Sequence, residues 1–150
     1  MKHAKLLLLP LFAIALMAEE VPADIHDGGL CIGLGWLTLA PGEQATVSEG
    51  PDFAVFYFSK PGEPLYGWGV YGGSAPQVSG NGPVLFERDG ITVTRSGFTG
   101  VFRGYVAKGS PNSVNHFFGS VFDDKPEDKA VFDRIDFGEN GKALCRKGRG

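Results

Sequence analysis

The chain reads as a mainly β protein, an antiparallel β-sandwich or half-barrel of about eight short strands with one short C-terminal helix near residues 126–135. Three observations predict this. Glycine (23 of 150 residues) and aromatic residues (12%) are abundant, a composition that leans to strands and turns. Short apolar or alternating segments recur between Gly, Pro and Asn/Asp pairs, the spacing of hairpin-connected strands. Asp89-Gly90 sits between Val84–Arg88 and Ile91–Arg95; this is a type I′ hairpin signature, because both central residues of that turn need φ > 0.

The first element is not part of the fold. Met1 to Lys5 is a short basic start, and Leu6 to Met17 is a twelve-residue run without charge. Small residues follow at Ala15, Ala18 and Ala23. This is the layout of a secretory leader, residues 1–18, cut somewhere from 15 to 23. The run falls short of the roughly 20 apolar residues a membrane span requires. A single β-rich domain is expected over residues 30–146, in the periplasm or secreted, with no membrane anchor once the leader is gone.

Residues 19–29 are polar and acidic and end in Gly28-Gly29, which reads as a loose arm. Leu30 to Leu39 reads as the first strand, Pro41-Gly42 as a turn, and Gln44 to Ser48 as the return strand. Phe53 to Phe58 is apolar on both alternating faces, so it is expected to be buried on both sides. Tyr66 to Tyr71 alternates aromatics with glycines, an arrangement in which a ring lies over bare backbone. Gly72 to Pro83 is a long Gly/Ser/Asn/Pro loop. After the 84–95 hairpin, Phe98 to Ala107 and Val114 to Phe122 read as strands joined by a turn at Gly109 to Asn112. Pro126 with acids around it reads as a helix entry, and Val131 with Ile135 supplies an apolar face. Asn140-Gly141 is expected to turn the chain into a last strand holding Ala143 to Cys145. The tail from Arg146 is basic and reads as frayed.

Removing the leader takes Lys2 and Lys5, leaving 12 basic against 17 acidic residues, a formal charge of −5. Such a chain has no electrostatic reason to seek nucleic acid. Two cysteines, Cys31 and Cys145, are expected to form one disulfide in an oxidising compartment, tying the first strand to the last. Chain-entropy reasoning assigns a loop of that length about 4–5 kcal/mol.

Catalytic chemistry is thinly represented. His26 and His116 are the only histidines beyond the leader. Ser120 shares a face with His116 on a strand but lies about 13 Å along it, beyond hydrogen-bond reach. Asp123, Asp124, Glu127 and Asp128 lack calcium-loop spacing and are explained by a helix N-terminus. Gly33-Leu34-Gly35 lacks the third glycine and helix of a dinucleotide site, and no cofactor is expected. If cleavage follows Ala23, the chain begins Asp24-Ile25-His26. The amine, two deprotonated amides and the His26 imidazole then form a square-planar nitrogen set suited to Cu²⁺ or Ni²⁺.

The expected function is an exported, non-catalytic binding domain for a protein partner in the cell envelope, in the manner of an inhibitor or immunity factor. Its binding edge is expected to be loops 60–66 and 72–83 with Tyr66, Trp68 and Tyr71, since Tyr and Trp serve interfaces well. A glycan or other envelope ligand, a small envelope hydrolase and a structural accessory subunit are the alternatives.

Overall fold

Short alternating segments joined by tight turns pair with their neighbours, and the chain does so almost throughout. The structure, a computed structural model, describes residues 19–73, 80–96, 104–110, 113–123 and 125–148. Eight strands form one antiparallel sheet: β1 (Val21–Pro22), β4 (Gln44–Glu49), β5 (Phe53–Ser59), β6 (Gly67–Gly73), β7 (Val84–Arg88), β8 (Ile91–Arg95), β9 (Gly104–Ser110) and β10 (Ser113–Gly119). Their order across the sheet is β1-β4-β5-β6-β10-β9-β8-β7. A second sheet of three short strands, β2 (Gly29–Cys31), β3 (Trp36–Thr38) and β11 (Ile135–Asp136), has the order β11-β3-β2. Helices α1 (Lys129–Phe132) and α2 (Glu139–Lys147) complete the small layer. The mainly β class is therefore as expected, and the large sheet does not close into a barrel.

Alternation decides what the two layers share. Val47, Phe56, Val70, Phe117 and Tyr105 stand opposite one another on successive strands and form one row of the inner face. Against that face pack Leu30, Ile32, Leu37, Phe132, Ile135 and Phe137 of the small layer. Phe132 is the hinge of this packing, with ring contacts to Phe117 at 4.9 Å and to Tyr105 and Phe86 at 5.5 Å. Burying side chains of this size contributes roughly 1.5–3 kcal/mol each.

The Asp89-Gly90 hairpin forms as expected, with φ of 53° and 76° at its two central residues and Arg88 opposite Ile91. Four other expectations are corrected. Residues 19–29 are not a loose arm: Val21 and Pro22 pair with Val47 and Thr46, and Ala23 is buried. β5 is not buried on both faces: Phe58 alone is fully buried, Phe53 to Phe56 are half-buried, and Tyr57 on the outer face is exposed. The helix near 126–135 shrinks to a 3₁₀ turn at Pro126–Asp128 followed by the four residues of α1, because Ile135 gains more by pairing with Leu37 in β11. The last strand is instead the helix α2. Asn140-Gly141 looks like a turn, yet Gly141 serves close packing: a Cβ there would lie 2.0 Å from the Asp136 carbonyl oxygen. The disulfide is present, with Cα atoms 5.1 Å apart, and it ties β2 to α2. The expected leader, half of the 72–83 loop (74–79), the first residues of the 98–107 strand, the second half of the 109–112 turn and the end of the basic tail lie outside the described residues.

Candidate functional site

The small layer is narrower than the sheet it covers. Where it stops, the inner face of β4 to β6 stays open as a cleft of about 940 Å³. Val47, Ala54, Phe56 and Gly72 line it from the large sheet, and Leu30 to Leu34 with the disulfide line it from the small layer. Val21, Pro22, Asp24 and His26 supply a third side. Phe56 is the residue that reports the opening: its row-mates Val70 and Phe117 are fully buried, while Phe56 is only half-buried.

Asn115 holds the two sides at their separation. It is 1% exposed on the inner face of β10, and its Nδ2 donates to the Ile32 carbonyl at 2.7 Å and the Tyr71 carbonyl at 3.3 Å. Its Oδ1 accepts from the Leu34 amide at 3.0 Å. One amide side chain thus pins the turn between β2 and β3, where Gly33 has φ of 99°, onto the large sheet.

The electrostatics of the cleft are one-sided. Asp24, Glu49 and Asp52 are exposed around it, and none of the three has a side-chain hydrogen bond or ion pair. No Lys or Arg among the described residues lines it. Its apolar floor and unpaired carboxylates suit a ligand that is cationic and partly apolar.

A second polar centre is already satisfied from within. Glu43 is buried between the layers. Its Oε1 accepts from the Tyr66 hydroxyl at 2.5 Å and Trp68 Nε1 at 2.8 Å. Its Oε2 accepts from Arg134 at 2.7 Å and the Ala40 amide at 2.9 Å. Burial pushes its pKa up, but the bonds from Arg134, Tyr66, Ala40 and Trp68 outweigh that and hold the carboxyl below its usual value. Burial and the Glu43 carboxylate push the Tyr66 phenol up. A carboxylate held ionised by four donors locks two layers together and is poorly placed to take up a proton.

Of the three aromatics expected to form a binding edge, Tyr66 and Trp68 meet at Glu43 Oε1, and Tyr71 stands apart on the outer face. β6 alternates, so Trp68 points inward, 3% exposed and stacked on Phe58 at 4.1 Å; the structure places it in the core. Tyr66 precedes the strand and is tied to Glu43, with Lys60 Nζ 4.3 Å above its ring. Tyr71 lies on the outer face, stacked on Phe53 at 6.0 Å. The expected arrangement of a ring over glycine does occur at Gly69, where a Cβ would meet Phe118 at 2.5 Å; Gly73, expected to be loop, is covered in the same way, a Cβ there meeting the Tyr71 hydroxyl at 2.6 Å.

The histidines also find structural surroundings. His26 packs against Trp36 at 4.5 Å, and its amide donates to the Gly29 carbonyl, so the nitrogen set expected for copper or nickel competes with a backbone bond of the fold. No group of three or more His, Cys, Asp or Glu converges on a metal position among the described residues. His116 stands on the outer face of β10 with Phe118 at 5.6 Å, and its buried Nε2 has no hydrogen-bond partner. The Ser120 hydroxyl is engaged at the Leu65 and Gly67 carbonyls, 2.7 and 2.8 Å away. Asp128, expected as one of the acids of a helix N-terminus, is buried and accepts from the Tyr105 hydroxyl and the Asp123 amide.

Sequence reasoning missed the cleft residues. A readable signal was present: Glu49 and Asp52 flank Gly50-Pro51 with no basic residue nearby until Lys60, but nothing in the sequence placed Asp24 beside them. No known protein family, curated protein or solved structure matches the chain.

Proposed function

We propose that this protein is exported to an oxidising compartment, the periplasm or the cell exterior, and there acts as a non-catalytic recognition domain. It binds a basic, partly apolar segment of a protein partner in the cleft between its layers, as an inhibitor or immunity factor would. The carrying observation is the cleft itself, where three unpaired carboxylates surround an apolar floor that no Lys or Arg among the described residues lines. Export is supported by the leader pattern and by the disulfide. No helix among the described residues is long and apolar enough to cross a membrane. The acidic balance of the chain argues for a basic protein segment over nucleic acid. Leu65, 89% exposed at the tip of the 60–66 loop, gives that loop a secondary contact.

The test compares wild type with the Asp24→Asn/Glu49→Gln/Asp52→Asn variant in capture of partners from envelope extract and in binding to a Lys/Arg-rich peptide. Because the three side chains are exposed and unpaired, thermal stability should be unchanged. Affinity should fall about tenfold or more at low salt, each charge being worth up to roughly 1 kcal/mol, and the difference should shrink as salt is raised. Equal binding by the two proteins would remove the cleft from consideration.

A further inference from the structure

We infer that the leader is cut upstream of Glu20, at Ala15–Leu16 or Ala18–Glu19, and not at Ala23–Asp24. This rests on the export reading above and deepens it, because the position of the cut decides whether β1, which lines one side of the cleft, is kept.

All three bonds satisfy the local requirement to some degree. Val21-Pro22-Ala23 presents small or medium residues at the third and first positions before a cut, Ala13-Ile14-Ala15 does the same, and Ala18 offers a small residue next to the bond. The fold separates them. Val21 and Pro22 form β1, paired with Val47 and Thr46 at the edge of the large sheet. The Ala23 amide donates to the Ala45 carbonyl at 3.0 Å, and the Ala23 methyl is part of the core. The Glu20 carboxylate accepts from the Thr46 hydroxyl. Val21 and Pro22 are also cleft residues. Hydrolysis after Ala23 would discard all of these and uncover the edge of β4. Hydrolysis after Ala15 or Ala18 discards none of them.

The step is ordinary peptide hydrolysis by a leader peptidase. One water adds across the C–N bond, leaving a carboxylate on Ala15 or Ala18 of the leader and a new amine on Leu16 or Glu19. His26 is then no longer third in the chain, and the amine-terminal copper or nickel set cannot assemble.

The deciding measurement is intact-mass and N-terminal sequencing of the protein exported from cells expressing the full precursor. A first residue of Leu16 or Glu19 is expected. A chain starting at Asp24 overturns the inference while leaving export standing, and an uncut chain retained with its Met1 overturns both. A second comparison tests the physical argument directly: thermal melts of the chain starting at Glu19 and of the chain starting at Asp24. The shorter form should melt lower by about 5 °C or more; equal melting temperatures would show that β1 contributes nothing and sink the inference.

Discussion

Single buried polar groups divide into those the fold satisfies and one it does not. Glu43, Asn115 and Asp128 each reach partners in a different strand or layer, and each therefore converts burial from a cost into a positional constraint. His116 is the exception. It is 9% exposed, its Nε2 is unpartnered, and burial lowers its pKa from 6.5 to about 4. The native state then favours the neutral ring. The unfolded chain binds a proton near pH 6.5 that the folded chain refuses until about pH 4, so stability is full above the unfolded value and falls as pH drops through that window. The expected loss between pH 7 and pH 4 is about 3 kcal/mol from this residue. Urea titrations at the two pH values should show it, and His116→Leu should reduce the difference by that amount. An unaltered pH dependence in the variant would mean that the imidazole titrates normally.

Elements in this chain are defined as much by missing side chains as by present ones. β9 begins at Gly104, whose carbonyl accepts from both the amide and the hydroxyl of Ser96. A Cβ at Gly104 would lie 1.8 Å from the Phe117 carbonyl oxygen on β10. Backbone on a paired strand has no rotamer with which to escape, so Gly104→Ala must separate β9 from β10 locally. A destabilisation of about 3 kcal/mol is expected in chemical denaturation, far beyond the small change typical of a surface glycine. α2 follows the same logic at Gly141, where a residue with poor helix propensity is kept because the helix lies directly on the Asp136 carbonyl.

Across the whole molecule, a large sheet is covered by a small layer whose two-residue and three-residue strands and short helices have little independent stability. The disulfide compensates. Cys31 and Cys145 are 114 residues apart, so their link constrains nearly the entire domain in the unfolded state and contributes about 4–5 kcal/mol. Since a domain of this size has a net stability of about 5–15 kcal/mol, reduction should leave it marginal. Reduced protein should unfold at much lower urea concentration than oxidised protein, and the cleft should be lost with the small layer. Equal midpoints would show that packing alone holds β2 and α2 in place.

Local chemistry was enough to determine the mainly β class, the Asp89-Gly90 hairpin, a ring lying over Gly69 and the pairing of two cysteines, because turn geometry, side-chain alternation and thiol count act over a few residues or involve no alternatives. Tertiary structure alone decided the rest. Val21 and Pro22 became a strand because β4 offered an unpaired edge. Residues 139–147 became a helix because Gly141, having no side chain, could rest directly on the Asp136 carbonyl. Trp68 went inward because β6 is inserted between two long strands that set its facing. The cleft belongs wholly to this second category: Asp24, Glu49, Asp52, Phe56 and Asn115 come from separate strands and turns, and they meet only because a narrow layer stops short of a wide one.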